Sequence, residues 1–114
     1  MPSAYDLEMF KLKAEISKTF SDPKRLMIIN ELRHGEKQVG ELAQALELPQ
    51  AVVSRQLAVL RSSGVVTPRR EGTSVFYSLV DMRIIEACDL VQEVLLNQLA
   101  RSREFAEKMV NSIH

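Results

Sequence analysis

Between Gln50 and Arg61, the side chains Gln50, Ser54, Arg55, Ala58 and Arg61 fall on one side of a helical repeat, and Val53, Leu57 and Leu60 fall on the other. Short polar and basic groups held on a rigid helix can hydrogen-bond to base edges and to phosphate oxygens, the chemistry of a nucleic-acid contact. Further on, Arg69 and Arg70 are adjacent in a run of strand-forming residues and must point to opposite faces. At least one is expected to face the same ligand, with the other solvated or paired to an acid. Lys24 and Arg25 stand in the first turn of another helical segment, where the helix dipole disfavours cations. A docked phosphate would offset that cost, and plain surface placement accounts for them equally well.

Catalytic chemistry finds less support. The nucleophile candidates Cys88, Ser54 and Ser74 have only His34 and His114 to serve as base, and both histidines are better explained at helix ends. No Gly-rich phosphate loop, H-E-x-x-H pattern or paired active-site carboxylates occur, so no enzymatic activity is expected. A single cysteine excludes an intrachain disulfide framework and a zinc site built from several thiolates. Cys88 lies on the apolar stripe Ile84, Cys88, Val91, Leu95, and its default reading is a small buried hydrophobe.

The elements that must position these residues follow from local signals. Leu7, Phe10, Ala14 and Ile16 to Phe20 suggest a first helix over about 5–19. Ser21-Asp22-Pro23 reads as a cap followed by a first-turn proline, with Gly35 as the stop of that second helix. Helical spacing resumes from about Val39 to Glu47, breaks at Leu48-Pro49-Gln50, and runs again from Ala51 to about Ser63 before Gly64. The period then changes to two: Val65 to Arg70 and Thr73 to Leu79 flank the turn signal Glu71-Gly72, which predicts a β-hairpin. Asp81 caps a last helix over about 81–112, with a break at Arg101 to Arg103 and a further helix as the alternative. The fold class is therefore mainly α with a two-stranded β-hairpin, in a single domain over 1–114. Two short helices joined by a tight turn, the second followed at once by a hairpin, form a winged helix-turn-helix, whose second helix enters the major groove.

The chain has 114 residues, 46% of them hydrophobic and 26% charged, enough to bury one core. No apolar run approaches the roughly 18 residues needed to span a bilayer, and the N-terminus carries no secretion signal, so a cytoplasmic location is expected. Lys plus Arg and Asp plus Glu are 15 each, a formal net charge of zero that at first argues against a nucleic-acid partner. Position reverses that argument. Within 51–78, Arg55, Arg61, Arg69 and Arg70 stand against Glu71 alone, a net of +3, and the flanking segments carry the compensating acids.

The stretch VGELAQALELPQAVVSRQLAVLRSSGVVTPRREGTSVFYSL, together with FSDPKRLMIINEL upstream, resembles the ArsR/SmtB family of dimeric winged-helix repressors. The resemblance implies that the helix holding Ser54, Arg55 and Gln56 reads double-stranded DNA. It also implies that the hairpin around Arg69, Arg70 and Thr73 is the wing, and that the first and last helices form a homodimer interface. With Gln50, Arg61, Lys24 and Arg25, these are the expected DNA-binding residues. On that reading Cys88 gains a sharper role as a redox sensor, because a thiol on a dimer helix could meet its symmetry mate. An unknown small-molecule or redox effector is the implied partner.

The family's metal ligands are not retained. Its thiolate pattern falls on Gln38-Val39-Gly40, and its last-helix ligands fall on Asp81, Arg83, Val94 and Asn97, where only Asp81 could ligate. No cofactor is expected. Two further departures concern the turn and cap: Glu47 stands where the family has glycine, and Pro49 replaces the usual Ser or Thr cap. The remaining function class is a winged-helix protein-interaction module, which salt-sensitive DNA affinity would distinguish.

Overall fold

The computed structural model describes residues 3–113, so His114 lies outside the described residues. Helix α1 spans Ala4–Thr19, α2 Pro23–Glu31, α3 Val39–Leu46, α4 Gln50–Ser62 and α5 Arg83–Ile113; strands β1 and β2 span Val66–Glu71 and Ser74–Leu79. The chain divides into two compact units, Met1–Met82 and Arg83–His114.

Each boundary has a local cause. Ser3 caps α1 in a reciprocal box with Asp6. The Asp22 carboxylate accepts from the backbone N–H groups of Lys24 and Arg25 at 2.8 and 3.3 Å, and Pro23 occupies the first turn, as the sequence predicts. A single 3-10 turn, Leu32–His34, extends α2 to Gly35. Helix α3 closes on Glu47, which takes the left-handed conformation at φ 55° and ψ 45°. The Leu48 N–H then reaches the Ala43 carbonyl at 3.0 Å, the closure that glycine usually permits. Helix α4 opens on Pro49 without a side-chain cap. It ends with Gly64 at φ 76° and the Val65 N–H on the Leu60 carbonyl at 2.9 Å.

The core of the first unit is the meeting of α2, α3 and α4 with the start of the hairpin. Ile28, Ile29, Leu32, Leu42, Ala43, Val53, Leu57, Leu60, Val65 and Val66 are all buried. In α4 the buried positions recur at intervals of four and three residues, so burial fixes which side of the helix is left for solvent.

The hairpin is offset by one residue from the sequence expectation. Glu71 pairs with Ser74, leaving Gly72 and Thr73 as the two-residue loop, because the first loop position requires a positive φ and Gly72 supplies it at 60°. The outer edge of β2 also carries a bridge that periodicity could not reveal: Lys37 and Tyr77 exchange N–H···O bonds of 3.0 and 2.8 Å.

In the second unit α5 is one helix of 31 residues. The break considered at Arg101 to Arg103 does not occur, since no glycine or proline interrupts the segment. No described helix is long and apolar enough to cross a membrane.

Candidate nucleic-acid interface

Helix α4 leaves Gln50, Ser54, Arg55 and Arg61 exposed on the side away from Val53, Leu57 and Leu60. Arg55 and Arg61 make no hydrogen bond or ion pair with the described residues, so their donors are open to a ligand. Gln56 is different. It is half-buried, and its Oε1 accepts from Arg25 Nη1 at 3.1 Å.

Lys24 and Arg25, adjacent in sequence, have opposite surroundings. Lys24 is exposed in the first turn of α2. Arg25 is half-buried and turned inward, donating from Nε to the Thr19 carbonyl at 2.8 Å and from Nη2 to the Lys18 carbonyl at 3.2 Å. The phosphate contact expected of Arg25 thus competes with partners inside the fold.

The two wing arginines separate as strand geometry requires. Arg69 holds Glu36 through two hydrogen bonds, Nε to Oε2 at 3.0 Å and Nη2 to Oε1 at 2.6 Å, and donates from Nη1 to Glu71 at 2.9 Å. Its guanidinium also lies over the Phe76 ring, 4.8 Å from the centroid. These hydrogen bonds from Arg69 hold the Glu36 carboxyl below the ordinary glutamate range, and the Arg69 guanidinium is held more firmly protonated in turn, first by Glu36 and then by Glu71. Arg70 is exposed and has no such partner among the described residues, and Thr73 is exposed at the loop tip.

Glu71, already counted in the +3 of the central stretch, and Glu36, which lies outside it, both hold Arg69. Glu36 therefore lowers the local balance to +2, and the cations left open are Arg55, Arg61 and Arg70. Glu36 was missed by sequence reasoning because it lies 33 residues from Arg69, in the loop before α3. No local pattern links the two.

Cys88 lies in α5 and is half-buried. Among the described residues, no group of three or more His, Cys, Asp or Glu is arranged to hold a metal ion.

The sequence and the fold are similar to those of known proteins. A family model described as bacterial regulatory protein, arsR family, covers residues 22–67, from the α2 cap into β1. An HTH-type transcriptional regulator of Methanocaldococcus jannaschii is 40% identical over 89 residues, which are 77% of this chain and 100% of that protein. The biofilm growth-associated repressor of Xylella fastidiosa is 38% identical over 85 residues, 75% of each chain. Among solved structures, the homodimeric winged helix-turn-helix DNA-binding domain of Mb0332 from Mycobacterium bovis superposes with a TM-score of 0.75 at 30% identity, covering 86% of this chain and 91% of that one. With a matching family model, a relative aligned over its whole length and the same winged helix-turn-helix fold, this chain belongs to the arsR family of bacterial transcriptional regulators.

Proposed function

We propose that the protein works as a cytoplasmic homodimer, most simply a repressor, that places α4 of each subunit in the major groove of a pseudo-palindromic operator and lays the β1–β2 hairpin along the backbone as a wing. The observation that carries the reading is the division of α4 into a buried apolar face and an exposed face bearing Gln50, Ser54, Arg55 and Arg61 with open donors. Two symmetry-related reading helices require half-sites about 10 bp apart or a multiple of that distance. Exposed apolar side chains supply candidate dimer surfaces: Phe10, Leu12 and Ile16 on α1, and Leu90, Val94 and Leu99 on α5.

The same reading involves no chemical step and no resident metal, since one carboxylate, Asp81, does not hold a transition metal. Release from DNA falls to a small-molecule or redox effector at the dimer helices, with Cys88 as the redox candidate. Oxidant-dependent release that is unaltered in Cys88→Ala would remove Cys88 from that role.

The experiment is selection of bound duplexes from a random pool, followed by gel shift at low and moderate salt. A recovered palindrome bound in a salt-sensitive way supports the proposal. Absence of salt-sensitive DNA affinity would sink it in favour of a protein-interaction module.

A further inference from the structure

We propose that Arg25 is the positioning residue of the reading helix: it fixes the rotation of α4 about its own axis by gripping Gln56. This rests on the reading that α4 enters the major groove. The Arg25 guanidinium joins three elements. It starts in the first turn of α2, takes the Lys18 and Thr19 carbonyls at the C-terminal end of α1, and donates to Gln56 Oε1 in the middle of α4. Those carbonyls belong to the group a helix end leaves without intrahelical partners, at the negative end of its dipole, so a cation is favoured there. Thr19, the one buried polar residue among those described, adds a second tie from α1: its Oγ1 donates to the Oγ of Ser63, the C-terminal cap of α4, at 2.8 Å.

Val53, Leu57 and Leu60 are fully buried and set which face of α4 meets the core. Within that packing, the bond from Arg25 to Gln56 is a directional contact on α4 next to Arg55. A hydrogen bond to a charged fork is directional and stronger than a neutral one. Gln56 follows Arg55 directly, so any turn of α4 that breaks the grip on Gln56 swings Arg55 with it. The two sequence-expected DNA contacts Arg25 and Gln56 thereby become each other's partners, and Arg55 is the residue they aim. Lysine cannot replace Arg25, because a single ammonium does not reproduce the planar fork that reaches three acceptors on two helices.

The test uses the full chain and needs no DNA for its first part. Arg25→Lys, Gln56→Ala and the double variant are unfolded in denaturant; the double variant is expected to be no less stable than the weaker single, and additive losses would overturn the grip. Gln56→Glu keeps an acceptor and is expected to retain the coupling.

The second part measures affinity for the duplex selected by the wild type against a random duplex, across salt. Arg25→Lys and Gln56→Ala are expected to lower the selected-to-random ratio by about tenfold, the scale of one hydrogen bond to a charged group, with the salt slope on random duplex unchanged. Gln56→Glu is expected to keep the ratio. A ratio held in Arg25→Lys and Gln56→Ala alike would overturn the proposal, as would a slope shallower by about 0.9 per chain in Arg25→Ala, the mark of a phosphate contact. If Arg25→Lys does not fold, Gln56→Ala against Gln56→Glu decides the same question. A wild type that prefers no duplex refutes the operator reading, whereas additive stability losses refute the grip, so the two failures are distinguishable.

Discussion

The wing offers a direct comparison, because adjacent arginines of equal charge have opposite surroundings. Arg70 is exposed and open, whereas Arg69 is held by Glu36 at 2.6 and 3.0 Å and by Glu71 at 2.9 Å. If Arg70 lies on a phosphate, each copy releases close to one counterion, and a dimer contributes about 1.8 to the slope of log affinity against log salt. Between 50 and 200 mM salt this amounts to about a 12-fold steeper loss of affinity than Arg70→Ala should show. Arg69→Ala is expected to leave the slope nearly unchanged while weakening binding at every salt, since it frees two carboxylates beside the DNA and releases the wing from the loop before α3. Fluorescence anisotropy on a random duplex, titrated across that salt range for both variants, measures the difference. Equal shallowing by the two substitutions would refute the reasoning, since it would mean that Arg69 leaves its acids for a phosphate.

Arg55→Ala should lose base discrimination at one position per half-site, about 1 to 3 kcal/mol per contact, read by affinity for single-base operator variants; unchanged preference at every position would refute the assignment. Glu47→Gly should raise stability by about 0.5 to 1 kcal/mol, because the left-handed backbone penalises a side chain more than glycine's extra entropy costs. Gly64→Ala should lower it by about 1 kcal/mol for the converse reason, both read by denaturant unfolding. For pH, Glu36 has its folded value lowered from 4.5 by Arg69, so the stabilisation of the wing tie is fully present above that value and is lost as pH falls through the lower folded one. A carboxyl-carbon NMR titration of Glu36 should show this depressed midpoint, and Arg69→Ala should restore it to the ordinary range.

Much of the fold was legible because its signals are local. Asp22-Pro23 starts α2, Gly64 ends α4, and the switch from helical to alternating periodicity marks the hairpin; each acts through residues within one turn of the chain. The exposed face of α4 was legible for the same reason, since the spacing of Val53, Leu57 and Leu60 leaves only one side for Gln50, Ser54, Arg55 and Arg61. The continuity of α5 was less so: Arg101 to Arg103 carry charges that resemble a boundary, but nothing there removes a backbone hydrogen bond or forbids helical φ.

What only the tertiary structure decided is which of the basic residues remain available. From sequence, Arg25, Arg55, Arg61, Arg69 and Arg70 are all candidate contacts, and no local signal says which of Arg69 and Arg70 is paired to an acid or whether Arg25 faces outward. In the fold Arg25 is drawn to Gln56, 31 residues away, and Arg69 to Glu36, 33 residues away, while the other three stay open. Helices and turns are set by neighbours along the chain, and so are written in order. Side-chain pairing is set by which surfaces the core brings together, and no sequence window contains both partners.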